Sequence, residues 1–234
     1  MKAVILAAGE GKRLGAITQT IPKPMIKIAG KPIIEHNILM CKNYNIDEIF
    51  INLHHLPLSI KNYFGDGSRW GVKISYKYEP KLLGTAGAVK NFSKELLDMP
   101  FFVIYGDNYC DFDLQIITEF HEQNLSDFTM ALFQLDEVSN SGVVELTSDG
   151  KINRFIEKPI NSDINSRWVN AGIYLMNPKI LNEIKMGYVD FGYDVIPFLI
   201  ERGYNIYGYK MKKRVIAIDT PKLLKSVVGN KGCS

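Results

Sequence analysis

The chain has 234 residues, of which 46% are hydrophobic and 23% are charged, and this suits one α/β domain or at most two small ones. Its formal net charge of +3 is too small to indicate a nucleic-acid-binding protein. No apolar run reaches transmembrane length, the N-terminal apolar stretch is too short for a signal peptide, and the three cysteines lack the spacing of a disulfide framework or a zinc site. We therefore expect a soluble, cytoplasmic protein with neither a nucleic-acid nor a membrane partner.

Short apolar segments alternate with segments of helical period in the first half of the chain. This pattern predicts strands at residues 3–6, 48–53, 72–76 and 101–105, and helices near residues 33–43, 58–64 and 86–97. The run at 101–105 lacks polar alternation, which is typical of strands buried on both faces. We expect βαβ units and a mainly parallel sheet.

The second half is richer in strands. We predict a helix at residues 113–123 with Asp113 as its N-cap. The pattern then predicts strands at 128–135, 142–146, 153–157 and 169–176, helical structure over 178–202, strands at 205–210 and 215–218, and a final helix from residue 221. No linker and no internal repeat divides the chain. The predicted fold is a single Rossmann-like, three-layer αβα domain with a mixed, mainly parallel central sheet.

The first predicted strand leads into a glycine-bearing loop that carries positive charge. Gly9 and Gly11 are followed by Arg13, and Lys23 lies between two prolines. The loop is not a Rossmann fingerprint, because Leu14 occupies the position of the third glycine, and it lacks the Gly-Lys-Ser/Thr of a Walker A loop. Close backbone approach beside fixed positive charge indicates a polyphosphate site. The alternative is an ordinary tight turn between strand and helix.

Carboxylates follow two predicted strands. Asp107 comes after strand 101–105 and Asp219 after strand 215–218. Ligands of open α/β sheets lie beyond the carboxyl ends of the strands, so we expect Gly9, Asp107 and Asp219 on one rim. Carboxylates at such a rim suit a hard cation such as Mg²⁺. Asp107 could instead form an Asx turn, and Asp219 could cap the last helix.

Two later segments add polar groups. Lys158 is followed by proline and preceded by Glu157, a pattern that suits a phosphate and sugar hydroxyls, although a polar turn has the same composition. Residues 79–88 place a helix start rich in small residues after a strand. Backbone N–H groups exposed there would favour a flat ligand, whereas small residues for packing are the alternative.

An adjacent histidine pair follows the strand at 48–53. Neighbouring residues of a strand point to opposite faces, so His54 and His55 cannot chelate one ion from a regular strand. We interpret both as solvated loop side chains.

The sequence Leu6-Ala7-Ala8-Gly9-x-Gly11-x-Arg13-Leu14, followed by Pro22-Lys23-Pro24, resembles the signature of the sugar-1-phosphate nucleotidyltransferases, also called NDP-sugar pyrophosphorylases. Further matches extend nearly to the C-terminus. The resemblance implies one nucleotidyltransferase domain over residues 1–234, in which residues 1–125 mainly bind the nucleotide and residues 126–234 mainly bind the sugar phosphate.

The resemblance also implies a role for individual residues. Arg13 and Lys23 would be catalytic, and Asp107 and Asp219 would bind Mg²⁺. The sugar phosphate would be bound by Gly142, Glu157, Lys158 and Asn170. The nucleotide would be bound by Leu6, Ala8, Gly9, Gly11, Arg13, Lys23, Glu79, Gly84, Thr85 and Asp107.

The predicted reaction joins an NTP and a sugar 1-phosphate into an NDP-sugar and pyrophosphate. The version Gly84-Thr85-Ala86-Gly87 resembles mannose-1-phosphate guanylyltransferases more than thymidylyl- or uridylyltransferases, which favours GTP over UTP, dTTP or CTP. A mannose or manno-heptose 1-phosphate is favoured as the acceptor, and a homodimer is a possible assembly. The alternatives are a GT-A-type glycosyltransferase that uses Asp111 and Asp113 for its metal, and a non-catalytic nucleotide-sugar sensor subunit.

Overall fold

The computed structural model describes residues 1–159, 165–212 and 215–218. A nine-stranded sheet forms its centre, and two further pairs of short strands lie outside it. The strands are β1 Lys2–Leu6, β2 Lys27–Ile28, β3 Lys31–Pro32, β4 Glu48–Leu53, β5 Lys73–Tyr78, β6 Phe101–Tyr105, β7 Asn108–Tyr109, β8 Phe128–Gln134, β9 Gly142–Leu146, β10 Ile152–Glu157, β11 Trp168–Met176, β12 Ile206–Lys210 and β13 Ile216–Ala217.

The helices cover both faces of this sheet. The α-helices are α1 Ile17–Thr20, α2 Ile33–Asn43, α3 Pro57–Phe64, α4 Gly84–Asn91, α5 Leu114–Gln123 and α6 Ile196–Glu201. Turns of 3₁₀-helix occur at Lys12–Leu14, Lys23–Met25, Ser68–Trp70, Ser93–Glu95 and Pro178–Glu183, and a π-helix spans Phe191–Val195. Among the described residues, none of the helices combines the length and the hydrophobicity of a membrane span.

The core has two layers because the strands bury side chains on both faces. On one face, Ala3 and Ile5 of β1 join the apolar side chains of α2, α3 and α5. On the other face, Val4 joins those of α4 and α6. This alternation along a fully buried strand produces the three-layer αβα arrangement, as predicted.

The order and direction of the strands confirm a mixed sheet. Strands β5, β4, β1 and β6 are neighbours and pair in parallel. Strand β11 pairs antiparallel with β6 on one side and with β8 on the other, and β12 pairs parallel with β8. The hairpin of β9 and β10 joins β11 at the Val169–Val143 pair.

A bulge in β11 allows this strand to pair with β9 before the bulge and with β6 after it. Asn170 lies opposite Leu132, but Tyr174 lies opposite Met130, so β11 contains extra residues at this point. Gly172 has a φ of +68°, and a Cβ atom there would lie 2.6 Å from Nδ2 of Asn108. The residue therefore has to be glycine, and its bend redirects β11 from β9 toward β6.

The prediction of helical structure over residues 178–202 is confirmed at 178–183 and 191–201 and is wrong at 184–190. The chain forms a 3₁₀-helix, leaves helical structure at 184–190, and re-enters it through the π-helix that leads into α6. Gly187, within this interruption, has a φ of +102°, a conformation that suits glycine. The helix predicted at 86–97 also ends earlier, at Asn91. The helix predicted from residue 221 lies outside the described residues.

Candidate active site

The site lies where β1 and β6 end side by side. Leu6 and Tyr105 are paired in register, so the segments that follow the two strands meet at one edge of the sheet. The backbone N–H of Gly106 donates to the carbonyl of Leu6 at 2.9 Å. Gly9 and Asp107 thus share the expected rim, whereas Asp219 lies outside the described residues.

The loop after β1 presents backbone donors to an open space. Within the part of the chain that the structure describes, nothing accepts a hydrogen bond from the N–H groups of Gly9, Glu10 or Gly11. Gly9 is exposed, and an added Cβ atom would find nothing within 4 Å. Ala8, between the end of β1 and Gly9, is buried. Unpaired N–H groups around an open space form a site for an anion.

A buried lysine closes one side of this loop. Lys23 is only 7% exposed, and its ammonium group contacts Oδ2 of Asp107. Gly11 adopts the left-handed conformation with a φ of +65°, and a Cβ atom there would lie 3.2 Å from Cβ of Lys23. The 3₁₀-helix at Lys23–Met25 begins after one proline and contains the next, so the backbone that carries this charge is restricted. Arg13 is exposed on the preceding 3₁₀-helix.

The segment at 79–88, where a flat ligand was predicted, is packed more tightly than expected. The N–H groups of Ala86 and Gly87 both donate to the carbonyl of Val189, each at 3.0 Å. The expectation that the start of this helix exposes its N–H groups is therefore wrong at these two residues. Gly84 has a φ of +73°, and a Cβ atom there would overlap the backbone of Val189. Close packing of this kind explains the small residues of α4.

Thr85 links α4 to the segment that begins at Asp190. Its hydroxyl donates to Oδ2 of Asp190 at 2.9 Å and accepts from the N–H of Phe191 at 2.8 Å. The other carboxylate oxygen of Asp190 accepts from the N–H groups of Gly192 and Tyr193 at 2.8 and 3.2 Å. Sequence reasoning missed Asp190, although an aspartate before a helical segment is an N-cap signal.

Glu79 is buried among protein donors. It is 1% exposed, and its Oε1 and Oε2 accept from Nδ2 of Asn52 at 2.9 Å and from the N–H of Leu83 at 3.0 Å. Asn52 was also missed, although it is a polar residue inside an otherwise apolar strand. Both carboxylate oxygens of Glu79 thus have partners within the protein.

The predicted sugar-phosphate residues form a second cluster around Glu157. Cβ atoms added to Gly142 and Gly192 would lie 2.7 and 2.6 Å from Oε2 of this carboxylate. Burial raises the pKa of Glu157, and the positive charge of Lys158, at 3.6 Å, opposes that shift. Lys158 is exposed and has a φ of +49°, an uncommon conformation for a residue other than glycine.

The side chain of Asn170 is hydrogen-bonded to neighbouring residues of β11. Its Nδ2 donates to the hydroxyl of Tyr174 at 2.6 Å, and its Oδ1 accepts from the N–H of Gly172 at 2.8 Å. The hydroxyl of Tyr174 donates to that of Tyr105 at 3.2 Å. Burial raises the pKa of both tyrosines, so both phenols stay protonated at neutral pH.

Hydrogen bonds join the clusters into a continuous rim. Asn108, next to Asp107, donates to the carbonyl of Ala171 at 2.9 Å, beside Asn170. On the opposite side, the bonds of Asp190 lead from α4 to Gly192, which packs on Glu157. The structure therefore brings together the glycine loop after β1, the segment at 79–88 and the cluster around Glu157.

The histidine pair is part of this framework. Nδ1 of His54 lies 2.7 Å from the carbonyl of Glu79, and Nε2 of His55 lies 2.6 Å from the carbonyl of Thr18. Both rings are half-buried, so the interpretation as solvated side chains is wrong. No group of three or more His, Cys, Asp or Glu side chains within the described ranges could hold a metal ion.

Known proteins resemble this chain in sequence and in fold. It is 37% identical to the UTP–glucose-1-phosphate uridylyltransferase of Synechocystis and 32% identical to the mannose-1-phosphate guanyltransferase of Aspergillus oryzae. These matches include 90% and 95% of this chain, but only 58% and 62% of the length of the two relatives.

A solved structure, HddC from Yersinia pseudotuberculosis complexed with GMP-PN, superimposes with a TM-score of 0.82 at 26% identity and includes 97% of this chain and 98% of the other. The family model described as "Nucleotidyl transferase" matches residues 2–215. The chain therefore belongs to the nucleotidyl transferase family.

Proposed function

We propose that this protein transfers a nucleotidyl group from an NTP to a sugar 1-phosphate, forming an NDP-sugar and releasing pyrophosphate. The observation that carries the proposal is the loop after β1: the N–H groups of Gly9, Glu10 and Gly11 have no acceptor among the described residues, and Gly11 packs against buried Lys23. In the reaction, a phosphate oxygen of the sugar 1-phosphate attacks the α-phosphorus of the NTP, and the bond to the β-phosphate oxygen breaks. The nucleophile is already an anion near neutral pH, so no general base is required.

The residues supply binding, alignment and positive charge. The loop amides and Arg13 bind the β- and γ-phosphates, while Lys23 offsets the charge that develops at the α-phosphate. Lys158 binds the attacking phosphate, and Glu157 accepts hydrogen bonds from sugar hydroxyls. The main barrier is the approach of two anions in line, and preorganised donors lower it.

We propose that Mg²⁺ binds at this rim, with Asp107 as one of two carboxylate ligands. The ammonium group of Lys23 already lies against Asp107, so this carboxylate is placed to bind a positive charge. Mg²⁺ commonly takes one or two carboxylates together with substrate phosphates. Asp107 and Asp219 would hold it, and it would neutralise charge on the phosphate oxygens.

The division of labour follows the order of the chain. Residues 1–125 contain the phosphate loop (residues 7–11) and the base segment (residues 79–88), and Leu6, Ala8, Gly84 and Thr85 would border the nucleotide. Residues 126–234 contain Gly142, Glu157, Lys158 and Asn170 for the sugar phosphate. We propose the cytoplasm as the compartment; the homodimer considered for this chain is tested by light scattering.

GTP is the proposed nucleotide, with a mannose or manno-heptose 1-phosphate as acceptor. The sequence of residues 84–87, the guanyltransferase relative and the GMP-PN complex of HddC support this choice. UTP is the second candidate, because a uridylyltransferase is 37% identical over 225 residues.

A grid of five NTPs against a panel of sugar 1-phosphates, read by pyrophosphate release with and without Mg²⁺, tests the proposal. We expect the greatest release with GTP and a manno-configured sugar. Sugar transfer from an NDP-sugar without pyrophosphate release would indicate the glycosyltransferase instead. That alternative is weakened by Asp113, whose Oδ1 accepts from the N–H of Gln115 at 2.9 Å and so caps α5. Binding of GTP with no turnover on any sugar would indicate the sensor.

A further inference from the structure

A buried chain of hydrogen bonds connects the phosphate loop to the base segment. Oδ1 of Asn52 accepts from the N–H of Ala7 at 2.8 Å, and Nδ2 of Asn52 donates to Oε1 of Glu79 at 2.9 Å. Oε2 of Glu79 then accepts from the N–H of Leu83 at 3.0 Å. Ala7 opens the phosphate loop and Leu83 directly precedes α4, so two side chains link both parts of the nucleotide site.

The donor-to-acceptor direction of these hydrogen bonds is fixed at both ends of the series. Backbone N–H groups can only donate, so residue 52 must turn an oxygen toward Ala7, and residue 79 must turn an oxygen toward Leu83. The amide of Asn52 then presents its NH₂ to Glu79, which has to accept a second time. An ionised carboxylate meets this demand, whereas a glutamine would place a donor against a donor. Asn52 and Glu79 are 3% and 1% exposed, so bulk water cannot relieve the mismatch.

The backbone of Glu79 is held as firmly as its side chain. Its N–H donates to the carbonyl of Leu53 at 2.8 Å, and its own carbonyl lies 2.7 Å from Nδ1 of His54. Glu79 follows β5, and these two bonds tie its backbone to the end of β4. With the backbone tied in this way, a change in the acceptor capacity of the Glu79 side chain acts directly on the N–H of Leu83.

We propose that Asn52 and Glu79 are positioning residues that set the phosphate loop and the start of α4 at the spacing that an NTP requires. The inference rests on the proposed function and assigns Glu79 an indirect role, through Leu83, rather than contact with the base. Loss of this positioning should raise the KM for the NTP and leave the KM for the sugar 1-phosphate unchanged.

The first test is Glu79→Gln, which keeps the shape but supplies one acceptor instead of two. We expect the KM for GTP to rise about tenfold or more, the scale of one unsatisfied buried donor, with the KM for mannose 1-phosphate within about twofold. Asn177→Ala is the control for simple destabilisation. Asn177 lies at the far end of β11, where its Nδ2 donates to the carbonyl of Ser126 at 2.9 Å. This variant should lower the Tm and change neither KM.

The second test combines Asn52→Asp with Glu79→Gln, which reverses the direction of the hydrogen bond between residues 52 and 79. The new carboxylate accepts from Ala7 and from the new amide, whose oxygen accepts from Leu83, so every donor regains an acceptor. We expect the KM for GTP to return to within about threefold of wild type. A Glu79→Gln variant with the wild-type KM, or a double variant no better than Glu79→Gln, would overturn the proposal.

Two further outcomes are decided by the same set of proteins. If Glu79→Gln does not fold, the double variant is compared with wild type directly, and a raised KM or a failure to fold counts against the proposal. If wild type releases no pyrophosphate, the proposed function fails by itself. The Kd for GTP, measured by calorimetry, then replaces KM, and the same pattern of loss and rescue is expected.

Discussion

Alanine at Gly9 and at Gly87 should have opposite consequences, because the two glycines are small for different reasons. A Cβ atom at Gly87 would lie under 3.0 Å from the carbonyl oxygen of Gly187, a distance that real Cβ atoms essentially never show. Such overpacking costs about 1–3 kcal/mol. In a domain of this size each kcal/mol shifts the Tm by about 2–4 °C, so we expect a fall of about 2–12 °C.

The added methyl group at Gly9 meets no atom of the protein within 4 Å. The free energy of unfolding should therefore stay at the wild-type value or rise by a few tenths of a kcal/mol. The methyl group would instead occupy the space from which a triphosphate reaches the loop amides. Losing one hydrogen bond to a charged group costs about 1.5–3 kcal/mol, which lowers kcat/KM by about 10- to 150-fold.

Thermal unfolding followed by circular dichroism gives the Tm of each variant. Pyrophosphate release, measured at a temperature well below the lower of the two Tm values, gives kcat/KM. Each variant serves as the control for the other. A Gly9→Ala protein with wild-type kcat/KM would refute the phosphate-binding role of the loop. A Gly87→Ala protein with an unchanged Tm would refute the packing explanation of α4.

Three further changes probe the charges of the site. Lys23→Ala should lower kcat by about 10², the scale for one preorganised charge-stabilising donor, while Lys27→Ala on the exposed surface should leave kcat unchanged; equal effects would contradict a specific role. Glu157→Gln should raise the KM for the sugar 1-phosphate about tenfold without loss of Tm at pH 7. Burial raises the pKa of Glu157, so the ionised carboxylate destabilises the folded protein at pH values above that pKa. Any gain in Tm of the glutamine variant over wild type should therefore vanish as the pH falls through this pKa. A gain that grows toward low pH would contradict the raised pKa. Asp107→Asn should raise the Mg²⁺ concentration for half-maximal activity at least tenfold, because mutating even a residue that only orients a metal ligand lowers metal affinity or activity about 10–100-fold. An unchanged Mg²⁺ titration would remove Asp107 from the metal site.

The central strands could be predicted from the sequence because both of their faces are buried. Residues 48–53 and 101–105 form β4 and β6 with the predicted bounds, since both segments are mainly apolar and lie between polar segments. The cap of α5 was equally accessible, because the Asp113 side chain bonds a backbone N–H two residues away. Local patterns contain this information in full.

Contacts between distant parts of the chain were not accessible in this way. The carbonyl of Val189 caps α4 from about a hundred residues away, and nothing near Ala86 in the sequence announces it. The same holds for the bonds of His54 and His55 to the carbonyls of Glu79 and Thr18. Motifs indicated which segments form the site, but they did not indicate which polar groups the fold itself would occupy.

The bulge at Gly172 has a consequence for redesigning substrate choice. Because β11 is inserted between β6 and β8, the second half of the chain cannot be exchanged with that of a relative as a module; the graft would cut through the middle of the sheet. The hairpin of β9 and β10 carries Gly142 and Glu157, yet it joins β11 at the Val169–Val143 pair, upstream of the bulge. If Gly142 and Glu157 bind the sugar phosphate as proposed, transplanting this hairpin alone should alter sugar preference and leave the strands of residues 1–125 unchanged.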